Sequence, residues 1–378
     1  MHSIFPYIHI PIYKLSSNFV VEAFGVLVAI GVIMGAWLAV RRAERLKLDV
    51  NLLIDSFFVV IPGGFALAHW VALFAYFPER VARDPLQIVY FWAGISSFGG
   101  ILGGLLVAWI FFYYKKVETR PYLETLAFGL IPGFTMGRVG CTVAHDHAGM
   151  WMVNNANNPL LVGTSGIRKA ILPTVQEPAF WIFAIVVALS TMLIVSIIRE
   201  NRFMTGSNLL AGGLVLVLLV LASPAFPEIL RSLAIPWPVS SSFKTNPHQF
   251  GAHLFWGDSN LLLNGKQVLV KTRLAFDLGL IELIFYIFLI CGIAALAYGK
   301  KPRRDSTILA VWFISYAPVR FLLDYLRVWD KRYFGLTPGQ YLCICMFLIG
   351  VYFYATMPEQ RWGEYVPPSE EETATAEA

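Results

Sequence analysis

Charge is what this chain has least of. Only 14% of its 378 residues are Asp, Glu, Lys or Arg, against roughly 25% in an ordinary soluble domain. With 57% hydrophobic residues and a mean hydropathy of +0.63, a water-soluble globule is excluded. Two-residue alternation of apolar and polar side chains is missing, which excludes a membrane β-barrel. The apolar runs are instead about 20 residues long, enough for helices to cross a bilayer. Cysteine is scarce as well. Cys141, Cys291, Cys343 and Cys345 have spacings that suit neither a disulfide framework nor a zinc finger, and three of them lie inside apolar spans as small packing residues. The N-terminus lacks the basic n-region of a cleavable signal peptide, and Pro6 and Pro11 precede a long first span, so no cleaved leader is expected. The net charge of +5 belongs to membrane loops; no nucleic-acid partner is expected.

These runs predict an all-α integral membrane protein, a polytopic helical bundle of about nine transmembrane spans. They fall at residues 20–40, 54–77, 92–114, 123–143, 178–198, 207–223, 276–298, 306–326 and 338–357. Basic clusters follow the odd-numbered spans: Arg41, Arg42, Arg45 and Lys47; Lys115, Lys116 and Arg120; Arg199 and Arg202; Lys300, Lys301, Arg303 and Arg304. By the positive-inside rule these loops are cytoplasmic, which puts the N-terminus outside and the C-terminus inside. Arg80, Arg83, Lys331 and Arg332 then lie on the outer side. The expected organisation is an N-terminal transmembrane bundle (1–143) and a polar periplasmic head-like loop (144–177). An inserted span pair with a periplasmic Pro/Trp-rich loop (178–275) follows. A C-terminal transmembrane bundle (276–357) and a disordered acidic tail (358–378) complete the chain. The Pro/Trp-rich loop holds Pro224, Pro227, Pro236, Pro238 and Pro247 with Trp237 and Trp256, and suggests caps on the membrane surface, where Trp is favoured.

Against this apolar background a few residues stand out. The run from Gly137 to His147 closes the fourth span, with Arg138 at membrane depth and Asp146 between His145 and His147 at the rim. Ionisable groups there face a cavity or a partner far more often than lipid. The bland alternative is a helix cap and a polar loop. Farther on, Tyr316, Arg320, Asp324 and Arg327 are spaced by four, four and three, which puts them on one helical face. An internal ladder of ion pairs is one reading. Yet one aspartate cannot neutralise two arginines, and with Arg138 the surplus makes a site for an anion. Guanidinium forks bind phosphate bidentately, and a phosphate within a membrane points to a phospholipid head group.

The histidines His145 and His147 offer base chemistry at neutral pH, and Asp146 can orient them. A metal site would need Cys141, His145, Asp146 and His147 to converge by folding back; neither metal nor cofactor is expected. His69 reads as a packing residue or a second functional histidine. Glu282 and Asp277 put carboxylates at similar depth and are candidate partners for the arginines. The glycines from Gly99 to Gly104 allow close helix approach, or contact with lipid.

At these residues the chain resembles the prolipoprotein diacylglyceryl transferase family. Phe77-Pro78, Asp84-Pro85-Leu86 and Trp92-Ala93-Gly94 follow the family's order. Ile95-Ser96-Ser97-Phe98-Gly99-Gly100 is similar to its His-Gly-Gly block, and Gly137-Arg138-Val139-Gly140 to the start of its Gly-Arg-x-Gly-Asn-Phe-x-Asn-x-Glu signature. Asp277 to Glu282 stands where the family has His-Pro-x-Gln-Leu-Tyr-Glu. Tyr316, Arg320, Asp324 and Arg327 follow its Tyr-x-x-x-Arg-x-x-x-Glu-x-x-Arg pattern. Leu336-Thr337-Pro338-Gly339-Gln340 resembles the Met-Gly-Gln that opens its last helix. The resemblance covers about 20–150 and 273–357; residues 155–272, with two of the nine spans, look like an insertion. Departures are concentrated at chemistry: Phe98 stands for the family's histidine, Cys141 and Ala144 for its asparagines, Asp146 for its glutamate, and Ile281 for the tyrosine of Tyr-Glu.

The resemblance implies transfer of a diacylglyceryl group from phosphatidylglycerol to the lipobox cysteine thiol of a preprolipoprotein, releasing glycerol phosphate, in a multi-pass protein of the bacterial inner membrane. Arg138, Arg320 and Arg327 would hold the phosphate, with Tyr316 on the head group. Gly137, Gly140, Gly99, Gly100 and Glu282 join the expected substrate-binding set. Asp146 and Asp324 would position arginines or histidines, and His147 or His145 would replace the missing base. The other readings are a paralogue that binds lipid or lipoprotein without this chemistry, and a transporter. The nearly all-apolar cytoplasmic halves of the spans argue against transport.

Overall fold

The computed structural model describes residues 13–14, 20–21, 23–91, 94–144, 148–151, 178–200, 203–222, 234–238, 258–263, 266–299, 302–327 and 330–363. The chain is mostly helical. A short pair, β1 (Tyr13–Lys14) and β2 (Val20–Val21), precedes α1 (Ala23–Leu46). Next come α2 (Val50–Val71), prolonged by a wider turn over Ala72–Tyr76, the short α3 (Pro78–Arg83), a 3-10 turn (Pro85–Val89), α4 (Ser97–Tyr114) and α5 (Thr119–Ala144). The helices α6 (Pro178–Arg199) and α7 (Gly206–Ala222) lie between β3 (Ala148–Trp151) and the strands β4 (Ala234–Pro238), β5 (Asp258–Leu263) and β6 (Lys266–Asp277). The last three helices are α8 (Leu278–Ala297), α9 (Thr307–Leu323) and α10 (Pro338–Ala355), with a 3-10 turn at Asp324–Leu326 after α9.

Seven described helical segments are long and apolar enough to cross a membrane: α1, α2 with its extension, α4, α5, α8, α9 with its 3-10 turn, and α10. The protein is a multi-pass membrane protein. Helices α6 and α7 occupy the two remaining expected positions, but their apolar stretches, Ala184–Arg199 and Gly206–Leu221, are shorter.

Local chemistry sets the ends. Asp49 accepts the Leu52 N–H at 3.1 Å and starts α2. Ser96 does the same for α4. Thr337 and Gln340 form a reciprocal capping box, with Pro338 at the first helical position of α10. Past the ends of α1 and α4, Lys47 and Lys116 take left-handed backbone (φ 58° and 55°), closing each helix before its next turn.

The chain divides into two compact units. The first comprises residues 1–31, 134–288 and 322–329; the second comprises 32–133, 289–321 and 330–378. The first holds an antiparallel sheet in which β6 is central. Its first half pairs with β5, from Leu263↔Lys266 to Asp258↔Lys271, and its second half runs between β4 and β3. Strands β4, β5 and most of β6 stand where the sequence predicts a Pro/Trp-rich loop, and β3 lies in the expected head-like loop.

In the second unit, glycine lets helices close on one another. A Cβ on Gly129 of α5 would run into the Gly35 carbonyl oxygen of α1. Between α2 and α4, a Cβ on Gly99 would lie 2.7 Å from the Val71 Cβ, and one on Gly103 2.5 Å from the Leu67 Cβ. Close approach is the role these glycines fill in the fold.

Candidate functional site

In the first unit, Arg138 sits on the last turns of α5 and is buried, as is Glu282 on the second turn of α8. Arg138 Nη2 lies 2.9 Å from Glu282 Oε2. The guanidinium carbon stands 4.7 Å from the centre of the Phe134 ring. That ring packs on Tyr286, one turn beyond Glu282, at 5.1 Å between centroids. Nη1 also donates toward the Cys141 Sγ at 3.8 Å. Arg138 is thus anchored by a carboxylate, a ring face and a thiol. In a low-dielectric setting such a pair persists only when geometry and further hydrogen bonds compensate for lost hydration.

Small residues bring these groups together. A Cβ on Gly279 would lie 3.0 Å from the Cys141 Cβ, so the start of α8 rests directly on the end of α5. Asp277, fully buried, ends β6 and accepts the Leu280 N–H at 3.1 Å, which caps α8. Gly140 approaches Phe24 of α1, where a Cβ would lie 3.0 Å from Cδ2. A Cβ on Gly137 would make an ordinary 3.9 Å contact with the Val28 side chain. Of the glycines in the signature run, Gly140 is therefore fixed by helix packing. Farther along this unit, Asp324 is buried, and its Oδ1 lies 3.7 Å from Arg327 Nε.

The reading of four residues on one helical face needs correction here. Helix α9 ends at Leu323, Asp324 opens a 3-10 turn, and Arg327 follows it with extended backbone. The regular α-helix thus stops before Asp324, and the spacing that places side chains on one face does not extend to Arg327. Tyr316 and Arg320 keep their places in α9.

In the second unit, Tyr316 and Arg320 meet Phe98 near the start of α4. The Phe98 and Tyr316 rings stack at 5.9 Å between centroids with 15° between planes, and the Arg320 guanidinium lies 5.7 Å from the Phe98 ring centre. All three are buried. Phe98, in the stretch that resembles the family's His-Gly-Gly block, therefore contributes an aromatic face to Arg320 and Tyr316. Gly99, next to it, packs against α2, while a Cβ on Gly100 would make an ordinary 3.6 Å contact with Ala68.

His69 is fully buried. Its ring nitrogens lie 2.9 Å from the Gly94 carbonyl oxygen and 2.8 Å from that of Gln87. It ties α2 to the connection before α4, which is the packing reading. His145, Asp146 and His147 lie outside the described residues.

Sequence reasoning missed Glu124. Fully buried in α5, it accepts the N–H groups of Ile308 (2.8 Å) and Leu309 (3.1 Å) at the first turn of α9. It thereby caps the helix that carries Tyr316 and Arg320. A lone glutamate in an apolar span was its only signal. Around it gather Arg42, whose guanidinium lies 4.9 Å from the Phe128 ring centre and 4.3 Å from that of Trp362, and Asp305. Burial, helped by the nearby carboxylates of Glu124 and Glu118, pushes the Asp305 carboxyl up to about 7, against the opposing pull of Arg42 and Arg120.

The family model for prolipoprotein diacylglyceryl transferase matches residues 11–232 and 249–356. A phosphatidylglycerol–prolipoprotein diacylglyceryl transferase of Chromohalobacter salexigens is 34% identical over 145 residues, covering 37% of this chain and 52% of the relative. One of Bacillus velezensis is 25% identical over 195 residues, 49% of this chain and 70% of the relative. One of Thermoanaerobacter sp. (strain X514) is 27% identical over 121 residues, 32% of this chain and 47% of the relative. The chain spans about half the length of most of these curated relatives. The match to the family model covers well over half of the chain, and the chain belongs to the prolipoprotein diacylglyceryl transferase family.

Proposed function

We propose that the protein transfers the diacylglyceryl group of phosphatidylglycerol to the cysteine thiol of a preprolipoprotein lipobox and releases glycerol phosphate. What supports this reading is the pair of buried arginines, Arg138 and Arg320, each set against an aromatic ring and each in a stretch that resembles one of the family's arginine motifs. In this reaction a sulfur–carbon bond forms as the carbon–oxygen bond to phosphate breaks. The thiol proton goes to a base, and the negative charge ends on the departing phosphate. Preorganised guanidinium groups in a water-poor site stabilise that charge without reorganising. Arg138 and Arg320 hold the phosphate, Arg327 adds positive charge, Tyr316 hydrogen-bonds the head group, and Asp324 orients Arg327. Glu282 fixes the Arg138 fork. His145 or His147, beside Asp146, takes the thiol proton.

The membrane arrangement belongs to the same proposal. Nine spans, with α6 and α7 as the additional pair, place the N-terminus outside and the C-terminus inside the bacterial inner membrane, with basic turns in the cytoplasm. Reporter fusions after Lys116, Glu200 and Ala355 test this: all three should report a cytoplasmic position.

One observation favours a second reading, a lipid- or lipoprotein-binding paralogue without transfer chemistry. The position of the family's histidine is filled by Phe98, stacked on Tyr316. Complementation of a strain depleted of its own transferase separates the two. A diacylglyceryl group on a reporter lipoprotein supports transfer; an unmodified reporter, with phosphatidylglycerol still bound, supports the second reading.

A further inference from the structure

Helix α9 is held at both ends by side chains of other helices. Glu124 receives its first N–H groups. At the far end, Gln340 of α10 donates from Nε2 to the Phe321 carbonyl oxygen at 3.1 Å. Between the two lies Pro318. Proline has no N–H, so α9 lacks the bond that would run from residue 318 back to the Ile314 carbonyl. The turn carrying Arg320 therefore lies beyond a missing rung, and the cap at Glu124 controls it weakly.

Gln340 is itself rigidly placed. Both it and Thr337 are fully buried. Its Oε1 accepts the Thr337 N–H at 2.9 Å, and its own N–H donates to the Thr337 Oγ1 at 3.2 Å. The capping box thus uses one end of the amide to start α10, and the other end reaches the residue next to Arg320. Pairing through the box alone would need only the oxygen; the second bond joins α10 to the end of α9.

We propose that Gln340 is a positioning residue for Arg320, setting where its guanidinium fork meets the phosphate of the lipid substrate. This rests on the reading of Arg320 as a phosphate-holding residue. A bidentate fork is sensitive to displacement in a way that a point charge is not. Gln340 acts through the backbone of Phe321 and does not itself touch substrate.

The test compares full-length Gln340→Met, Thr337→Ala and Arg320→Ala proteins. It measures KM and kcat for phosphatidylglycerol, titration of short-chain phosphatidylglycerol in detergent, and thermal unfolding. Thr337→Ala weakens the same cap but leaves the amide bond to Phe321. The proposal expects Gln340→Met to raise KM and weaken lipid binding about tenfold, as loss of one well-placed hydrogen bond allows. Thr337→Ala should lower thermal stability with KM and binding unchanged. Arg320→Ala should abolish both binding and transfer. Unchanged KM and binding in Gln340→Met, with Arg320→Ala inactive, overturns the proposal alone. An equal rise in KM in Thr337→Ala also overturns it, since the effect would then be helix stability. Near-normal binding and transfer by Arg320→Ala overturn both this proposal and the site reading beneath it. Should Gln340→Met fail to accumulate, Gln340→Asn, one methylene too short to reach Phe321, carries the same expectation.

Discussion

Arg138 and Glu282 form an ion pair of 2.9 Å between two side chains closed to water. The pair explains how an arginine rests at membrane depth before any substrate arrives. It also sets a requirement. On the proposed function, the lipid phosphate would share the Arg138 fork with the Glu282 carboxylate, which holds the guanidinium in place.

Breaking that pair from either side leaves a buried charge without its ion-pair partner. Glu282→Ala should destabilise the protein by about 3–5 kcal/mol, while a double replacement of both partners by Met should recover much of that loss. Thermal unfolding in detergent measures both. The double variant should remain inactive in transfer, which separates the structural role of the pair from the chemical role of Arg138.

Phe98 supplies a second expectation. If His145 or His147 provides the base, the double variant His145→Ala/His147→Ala loses transfer, and Phe98→His in that background restores part of it. The new imidazole would stand where the family has one, beside Tyr316 and Arg320. Mass analysis of a reporter lipoprotein scores both variants. Transfer unchanged in the double histidine variant rules out the proposed base.

Much of the helical framework could be read from the sequence because its signals are local. Helix α10 begins at Pro338, where the Thr337-Pro338 pair and Gln340 announce a cap. Helix α8 spans 278–297 within the apolar run expected at 276–298. The strands carry a local signal too: Asn264-Gly265 between β5 and β6 favours a hairpin, but the prolines and tryptophans before it carry the stronger loop signal. By contrast, the partnership of Arg138 with Glu282 joins residues from two distant helices, and no local pattern specifies it. The 3-10 turn at Asp324–Leu326 escaped because regular spacing of polar residues does not reveal where a helix tightens.

Asp305 gives the protein a pH dependence of known sign. Its carboxyl is raised from 3.8 to about 7 in the folded chain. The folded state therefore holds the proton more tightly than the unfolded state. This contribution to stability is complete below the unfolded value and is lost as pH rises through the folded one. Thermal stability should fall between about pH 4 and about pH 7, and Asp305→Asn should flatten that decline. A decline of equal size in Asp305→Asn assigns it to other groups.

Helix contact in the second unit depends on a missing side chain. Gly129→Ala places a Cβ against the Gly35 carbonyl, and the helices must part to admit it. A loss of about 1–3 kcal/mol is expected from such overpacking, visible as a lower unfolding temperature. Gly25→Ala, where a Cβ meets nothing within 4 Å, is the matched control and should leave stability unchanged.

The central claim is that buried arginines of this chain hold a phospholipid phosphate during transfer to a cysteine. The most direct measurement is mass spectrometry of a reporter lipoprotein in a transferase-depleted strain that carries either the unaltered protein or Arg138→Ala. The unaltered protein should leave a diacylglyceryl group on the reporter cysteine, and Arg138→Ala should leave the thiol free. A reporter modified to the same extent by Arg138→Ala, or unmodified by the unaltered protein, would contradict the account.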